Sequence, residues 1–504
     1  MVATSDILIA LLFACPCVAM FVGLFFKGQK NVDIAKAVGF FIGVGFILSA
    51  LLLIRSLDSS YAIGFFSLHL TTLNSLLSTL IFFVSFIVHR FSIRYMAGDS
   101  RYYRYFFLLS AITLSAAFWV FVDNIFLLWL GWSLSQVILI LLMVHKSKWE
   151  AAKNSGWLTL KTLMPGSLCL VMAMILLYAT NETASIEAIT KSSSQDTFMQ
   201  KLALSLILFA ALAQSALWPF HRWMLSSLNS PTPVSALMHA GLVNGGGILI
   251  VKFAPLFFIS QTLLTILFIV GAITTFLGSI WKLLQNDIKR MLACSTMAQM
   301  GFMMMQCALG LFAAAITHLC WHGLFKAYLF LNSGSAITQT KPENNFKMDI
   351  GSRLLSIAGG TLAMYAFAFI TNKPVFSLNT TTFLLVFAFI SAAQLTLAIQ
   401  PHWRGVKRSI IALAAAFLSG VLYGESIYLI EALLPNFNAL QLPKLNILYE
   451  LTLALFLLVW FAFNFGLVNK YRESRIWCRF YMMMLNKSQP HPKTVTAIRN
   501  TYQF

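Results

Sequence analysis

The chain has 504 residues, of which 59% are hydrophobic and 10% charged, and its mean hydropathy is +0.80. These values exclude a soluble globular domain and indicate an integral membrane protein. A net charge of +19 would suggest nucleic-acid binding in a soluble protein. Here the charges lie between long apolar runs, so we expect a lipid bilayer around the chain and no nucleic-acid partner.

Apolar runs of about 20 residues, the length that crosses a hydrocarbon core, follow one another from Ile7 to Leu467. Runs such as "LLSAITLSAAFWVFV" are apolar on every face, whereas the strands of a membrane β-barrel alternate apolar and polar residues. We therefore expect an all-α polytopic membrane protein. The fifteen predicted spans are 6–26, 36–54, 65–89, 105–122, 124–145, 157–179, 202–219, 233–251, 256–281, 291–309, 311–337, 354–370, 378–400, 409–433 and 447–468.

Lys and Arg residues are concentrated in alternate loops between these spans. The opposite loops hold only six, Arg55, Lys191, Lys201, Lys252, Lys373 and Lys444. By the positive-inside rule, the N-terminus is expected outside the cell and the C-terminus in the cytoplasm. We expect the chain to lie in the cell (inner) membrane. The first span has no basic stretch before it and no cleavage site, so we expect a retained helix. The basic, aromatic tail from Lys470 is expected to lie on the cytoplasmic face, against anionic headgroups or a partner.

Cofactor motifs are absent from the sequence. There is no Walker loop and no GxGxxG after a strand, so we expect neither nucleotide hydrolysis nor dinucleotide binding. The seven cysteines have neither metal-site nor disulfide spacing. We therefore expect no cofactor in this chain and no enzymatic reaction on it, and any uphill transport must use an ion gradient or a partner.

The stretch "HLCWHGLFKAYLF" (318–330) contains three titratable side chains in an apolar run. His318, His322 and Lys326 are four residues apart, so they share one helical face over about 12 Å. A charged amine inside a bilayer costs several kcal/mol unless it is hydrated or paired, and such residues mark ion paths. The structural alternatives are an imidazole hydrogen-bonded to a neighbouring carbonyl, and a lysine that snorkels from the helix end or is buried in a static ion pair. The row favours a proton relay.

Two acidic residues are also of interest. Glu425 lies well inside span 409–433, and by the same burial argument it is a candidate proton site. Asp123 follows a short outer loop and is expected to cap a helix rather than to conduct.

A second polar stretch is "SALWPFHRWMLSSLNSPTPVSALMHAGLVNGGG" (215–247). Pro219 is expected to end one helix, and a new helix is expected to start at the prolines after Ser230. His239 falls inside this new helix, and Gly241 and Gly245 permit close helix approach. Alone, this pattern predicts a helix pair with a buried histidine.

The chain resembles the antiporter-like subunits of respiratory complex I and of Mrp-type cation/proton antiporters, typified by NuoL. The resemblance covers about residues 123–347 and rests on five motifs: "DNIFLLWLGW" (123–132), "PFHRWMLSSLNSPTPVSALMHAG" (219–241), "NDIKRMLACSTMAQMGFM" (286–303), "HLCWHGLFKAYLFLNSGSAI" (318–337) and "NFKM" (345–348). It implies two inverted five-helix repeats with broken helices.

This resemblance implies five segments: N-terminal transmembrane helices (1–104), a first repeat (105–255), a second repeat (256–400), C-terminal transmembrane helices (401–469) and a basic cytoplasmic tail (470–504).

The first repeat departs from the family pattern. The family's glutamate after Gly-Trp is Ser133 here, and its first-repeat lysine is Gln214. The Arg and Asp of the intervening helix correspond to Met164 and Ser167, with Lys161 about one turn away. Ser and Gln can orient water but cannot hold a proton at neutral pH. The resemblance therefore implies one proton path, through Lys326, His322, His318 and His239, with Gln214, Ser133 and Lys161 as further polar candidates.

The exit residue of the second repeat is not defined by the motifs. Lys373 is the nearest candidate, but it precedes Pro374 close to a membrane face.

The "HAGLVNGGG" stretch and the tail of about 36 residues after the last span make the chain look most like the DabB family of inorganic-carbon uptake subunits. This resemblance implies a large cytoplasmic DabA-like partner with a zinc site similar to that of β-carbonic anhydrase. Zinc is expected in the partner and not in this chain. The chain would pass a cation, H⁺ or Na⁺, and couple the gradient to CO2 and bicarbonate uptake.

Two other functions remain open at this stage. A cation/proton antiporter or a quinone-linked pump subunit would copurify with several membrane or redox subunits. A passive membrane anchor for a soluble enzyme would support no ion flux.

Overall fold

The computed structural model describes residues 2–25, 31–57, 61–63, 67–192, 197–334, 349–402, 405–440, 446–471 and 473–495. Helices dominate these residues, and the prediction of an all-α polytopic protein is confirmed. The "NFKM" motif (345–348), residues 335–337 of one predicted span and the end of the tail from residue 496 lie outside the described residues.

The helices up to and including the one that carries His318, His322 and Lys326 are α1 (Val2–Phe25), α2 (Asn31–Ser56), α3 (Thr72–Tyr95), α4 (Tyr102–Phe121), α5 (Ile125–Met143), α6 (Glu150–Asn181), α7 (Ile186–Ser192), α8 (Phe198–Gln214), α9 (Arg222–Leu225), α10 (Thr232–Ala240), α11 (Gly245–Lys252), α12 (Ala254–Ile259), α13 (Gln261–Leu283), α14 (Ile288–Ala308) and α15 (Phe312–Leu331). The later helices are α16 (Ile350–Ile370), α17 (Thr380–Ile399), α18 (Gly405–Leu433), α19 (Ile447–Asn464), α20 (Leu467–Lys470) and α21 (Arg475–Lys487).

Twelve stretches of the described residues are long and apolar enough to cross a membrane. Every predicted span overlaps a helix, but α8 is only 17 residues long, and α14 and α15 are not among the twelve. In α15 the apolar sequence is interrupted by two histidines and a lysine. The predicted count of fifteen spans is therefore not established.

A small hairpin precedes α3 and was not expected from the sequence, which predicted a span from residue 65. Strand β1 (Tyr61–Ile63) pairs antiparallel with β2 (Leu68–Leu70). The helix begins later, after Thr71, whose side-chain oxygen accepts a hydrogen bond of 3.1 Å from the backbone N–H of Asn74. This N-cap fixes the start of α3 because it satisfies an N–H that the first turn leaves unpaired.

Two helix breaks lie side by side. The first follows α8, where Ala216 adopts a left-handed φ of 51°. The second separates α10 from α11 by a 3-10 turn at Leu242–Asn244. A Cβ at Gly246 would lie 2.3 Å from the carbonyl oxygen of Ala211, so α11 packs directly on the backbone of α8. The predicted break near Pro219 is present. Of the two glycines expected to permit close approach, Gly245 lies against Trp132 and Gln214, whereas an added Cβ at Gly241 would meet only Leu237 O of its own turn.

The chain divides into two compact units. The first comprises Met1–Ala308, His318–Ala336 and Lys487–Phe504, and the second comprises Leu309–Thr317 and Ile337–Asn486. The polar face of α15 from His318 onward thus belongs to the first unit, together with both helix breaks. The five-segment division implied by the family resemblance stays a prediction.

Candidate functional site

The polar row on α15 forms as its four-residue spacing predicts. The rings of His318 and His322 are stacked at 5.8 Å with an interplanar angle of 18°. His322 is 6% exposed and Lys326 only 1% exposed. The row therefore turns into the protein and not toward lipid.

Lys326 has a main-chain partner. Its Nζ donates a hydrogen bond of 3.1 Å to the carbonyl oxygen of Leu292, near the start of α14. Among the described residues no carboxylate lies within ion-pair distance of this amine. The helix ends at Leu331, so Lys326 lies closer to its C-terminal end than the predicted span 311–337 implied. The amine is buried without a fixed counter-charge.

His239 joins the row from α10. A ring nitrogen of His322 is hydrogen-bonded to the backbone of His239, and the His239 ring stacks on Phe330 at 4.3 Å. The contact requires Gly323, because a Cβ there would lie 2.7 Å from the carbonyl oxygen of Ala240. The three predicted path histidines and Lys326 therefore form one cluster at the break between α10 and α11, and all but the half-buried His318 are fully buried.

Several ring nitrogens in this cluster are buried and unpaired. Within the part of the chain that the structure describes, His318 Nε2, His322 Nε2 and His239 Nδ1 have no hydrogen-bond partner. Leaving a buried polar atom unsatisfied costs about 1–3 kcal/mol. Water bound at these nitrogens would remove that cost, and water between imidazoles and an amine is the medium that proton transfer along the row requires.

Gln214 occupies the other helix break, at the end of α8. Its Nε2 donates to the carbonyl oxygen of Leu242 at 2.9 Å, and its Oε1 accepts from Gln136 Nε2 at 2.8 Å. Sequence reasoning did not identify Gln136. A signal was present, since Gln136 lies three residues after Ser133, and therefore on a neighbouring part of the same face of the apolar helix α5.

Ser133 contacts the residue that replaces the family's aspartate. The hydroxyl groups of Ser133 and Ser167 are hydrogen-bonded to each other. The indole Nε1 of Trp129 also donates to the Ser167 carbonyl oxygen at 3.0 Å. Ser133 and Ser167 are thus adjacent in space, and both carry hydroxyl groups.

Lys161 and Glu425, two further predicted path residues, are both exposed. Lys161 is exposed on α6 with its Nζ 5.1 Å from the Trp157 ring centroid. Glu425 lies on an exposed face of α18 in the second unit. In that unit Lys373 forms an ion pair of 2.8 Å with Glu431.

A segment near the C-terminus covers the loop between α8 and α10 on the first unit. We call residues 488–494 the strap. Its side chains Ser488 and Thr494 are 2% and 4% exposed. Its hydrogen bonds, of 2.8–3.2 Å, are Gln285 Nε2 to Ser488 Oγ, Arg290 Nη1 to Gln489 Oε1, His491 N to Ser226 Oγ, Asn154 Nδ2 to Lys493 O and Asn229 Nδ2 to Thr494 O. The sequence predicted only that the tail lies on the cytoplasmic face, and it did not predict these contacts.

A bundle of apolar helices with two adjacent breaks and a buried lysine–histidine row defines an antiporter-like membrane subunit. Residues 122–399 match the family model described as "NADH:quinone oxidoreductase/Mrp antiporter, TM", and residues 61–106 match "NADH-Ubiquinone oxidoreductase (complex I), chain 5 N-terminus". The chain belongs to this NADH:quinone oxidoreductase/Mrp antiporter family, which confirms the resemblance inferred from the motifs.

Two curated relatives that the chain resembles are inorganic carbon transporter subunits. The chain is 40% identical over 283 residues to "Probable inorganic carbon transporter subunit DabB1" of Halothiobacillus neapolitanus, a match covering 55% of this chain and 50% of the relative. It is 38% identical over 325 residues to "Probable inorganic carbon transporter subunit DabB" of Bacillus anthracis, covering 62% of each. The matches thus span about half to three fifths of these relatives' lengths.

The fold has a solved counterpart. A chain of the Mrp complex from Dietzia sp. DQ12-45-1b superposes with a TM-score of 0.61 at 19% identity, covering 97% of this chain and 52% of that one. At this identity the likeness concerns the fold alone.

Proposed function

We propose that this chain is the proton-conducting membrane subunit of an inorganic-carbon uptake complex. Protons would pass along Lys326, His322 and His318, with His239 beside the row. The energy of their gradient would drive net conversion of CO2 to bicarbonate in a cytoplasmic partner. The partner would be a large DabA-like protein that holds zinc.

The single observation that carries the proposal is the buried amine of Lys326. It has one main-chain acceptor, Leu292 O, and no paired carboxylate among the described residues. Burial without a counter-charge disfavours the ammonium form, so the amine is suited to release a proton. The adjacent imidazoles can accept one, because each has a free ring nitrogen on the described chain.

The assignment to carbon uptake rests on the similarity to two probable inorganic carbon transporter subunits. The hydroxyl pair of Ser133 and Ser167 supports it further, since a two-path pump would keep titratable groups there. Polar side chains such as Gln214 would line the water chain beside the row.

The topology also belongs to the proposal. The chain would lie in the cell (inner) membrane with its loops rich in Lys and Arg on the cytoplasmic side and its N-terminus outside. The partner would then dock on the face that carries the strap.

The test replaces Lys326 with Ala in the full complex. We expect Lys326→Ala to lose gradient-dependent carbon uptake while the protein stays folded and partner-bound. Lys148→Ala, an exposed lysine on a loop, is the matched control and should retain uptake. Uptake by Lys326→Ala equal to the wild type would refute the relay.

A purification from native membranes tests the partner. Recovery of one large zinc-containing protein would support the proposal. Recovery of several small membrane proteins or of redox subunits would instead identify a cation/proton antiporter or a quinone-linked pump. Absence of proton flux in liposomes with and without the partner would leave a passive anchor.

A further inference from the structure

Three side chains that are far apart in the sequence meet on the face poor in Lys and Arg. They are His69 on β2, Asp123 just before α5 and Glu187 on α7. One donor atom from each lies within 4.8 Å of the others, and His69 Nδ1 is 3.2 Å from Glu187 Oε2. Among the described residues this is the one group of three or more His, Cys, Asp or Glu side chains with such an arrangement.

Main-chain hydrogen bonds hold the three segments together. Asp123 N–H donates to Ser67 O at 2.8 Å, and Ile186 N–H donates to Asp123 O at 2.9 Å. The backbone N–H of Glu187 donates to Asp123 Oδ1 at 2.9 Å. The side chains are therefore positioned by the backbone and would need little rearrangement to act together.

We propose that His69, Asp123 and Glu187 bind a divalent transition-metal ion, with Zn²⁺ as the probe. An imidazole nitrogen combined with two carboxylates suits zinc better than Mg²⁺ or Ca²⁺, which take oxygen ligands. Tetrahedral zinc with bonds of about 2.0–2.1 Å places its ligand atoms about 3.3 Å apart. The observed 3.2 Å between His69 and Glu187 fits that spacing.

The existing hydrogen bonds leave room for a metal. Asp123 accepts from the Ser185 hydroxyl and the Glu187 N–H, yet an ionised carboxylate offers about four acceptor positions. His69 Nδ1, which faces Glu187, offers a lone pair to a metal in the tautomer that carries the ring proton on Nε2.

Lys191 is the competitor for this site. Its amine is hydrogen-bonded to Glu187, and its side chain is 75% exposed. The Lys191 ammonium, through that hydrogen bond, holds the pKa of the Glu187 carboxyl below its usual value, so the carboxylate is ionised at neutral pH. An exposed ion pair contributes little free energy, and a divalent ion can displace it.

Binding would crosslink the hairpin, the start of α5 and α7. The metal site does not depend on proton conduction, so its test is independent of the proposed function.

The experiment titrates Zn²⁺ into the purified full-length chain by calorimetry and by thermal unfolding. We expect saturable binding near one ion per chain and a higher Tm with Zn²⁺. His69→Ala and Glu187→Gln should each weaken binding about tenfold or more, which is about 1.4 kcal/mol or more. Lys191→Ala should strengthen binding severalfold because the competing cation is gone.

The matched control is His145→Ala. His145 Nε2 forms a comparable pair with Asp99 at 3.0 Å, but no third donor joins it among the described residues. This variant should bind Zn²⁺ as the wild type does. X-ray absorption of the zinc-loaded chain should give light-atom ligands at about 2.0–2.1 Å including one imidazole. Equal binding by the wild type and His69→Ala, or weaker binding by Lys191→Ala, would overturn the site.

Discussion

The amine of Lys326 donates a hydrogen bond to the carbonyl oxygen of Leu292 over 3.1 Å. The same oxygen accepts from the Thr296 hydroxyl at 3.0 Å, so it stays satisfied if the lysine is removed. Removing the amine therefore leaves no unsatisfied acceptor in the protein.

Lys326→Met is therefore expected to keep or raise the Tm, because it removes a buried amine and leaves no unpaired counter-charge. Lys373→Met is the contrasting variant. It would leave the Glu431 carboxylate, whose side chain is 17% exposed, without its 2.8 Å partner. That loss should cost about 1–3 kcal/mol. Thermal unfolding in detergent measures both, and a clear drop in Tm for Lys326→Met would show that the amine is structural.

Gly323→Ala should separate α15 from the break after α10. The added Cβ would meet the Ala240 carbonyl oxygen at 2.7 Å, and backbone cannot move aside as a flexible side chain can. We expect a destabilisation of about 1–3 kcal/mol, seen as a lower Tm and as altered proton flux. Gly39→Ala, with no atom within 4 Å of the new Cβ, is the control and should be neutral or slightly stabilising. Equal Tm values for both variants would contradict the close packing.

The pair Gln136–Gln214 should show energetic coupling. Either Gln→Leu substitution alone leaves the other amide buried with one partner fewer, whereas the double substitution removes both. A double-mutant cycle on thermal or denaturant stability should give a coupling energy of about 0.5–3 kcal/mol. Strict additivity would mean that the hydrogen bond contributes nothing.

Deleting the strap, together with the residues after it, should loosen the loop between α8 and α10. Asn229 would lose its bond to Thr494 O, and Ser226 its bond from the His491 N–H. Hydrogen exchange at residues 226–230 should become faster, because their protection derives in part from this cover. Lys487→Ala, an exposed change just before the strap, should leave that exchange unaltered. Unchanged exchange after the deletion would show that the loop is rigid by itself.

Local patterns predicted the helices well where apolar composition alone decides. The predicted span 36–54 lies within α2, Asn31–Ser56, and the four-residue spacing correctly put His318, His322 and Lys326 on one face. Asp123 was expected to cap a helix, and its Oδ1 accepts a hydrogen bond from the backbone N–H of Glu187 in the first turn of α7. The N-cap of α5 is Asn124, whose side chain accepts from Phe126 N–H and Leu127 N–H.

Contacts between segments that are distant in the sequence could not be predicted from hydrophobic periodicity, which describes only local structure. The Gln136–Gln214 bond joins residues 78 apart, and the Asn229–Thr494 bond joins residues 265 apart. The meeting of His69, Asp123 and Glu187 likewise depends on how three loops return to one face. In each case the residue types were visible, but their neighbours are set by tertiary packing.

Ser133 and Ser167 are hydrogen-bonded to each other and leave no titratable group at these positions for a second proton path. This has a thermodynamic consequence for the proposed carbon uptake. We consider a single conducting path that moves one positive charge down the membrane voltage in each transport cycle. That charge yields about 2.3 kcal/mol per 100 mV. At one ion per carbon, this sets a ceiling of about fiftyfold accumulation for each 100 mV. Steeper enrichment would demand a stoichiometry above one, and the flux ratio of protons to carbon measures that number.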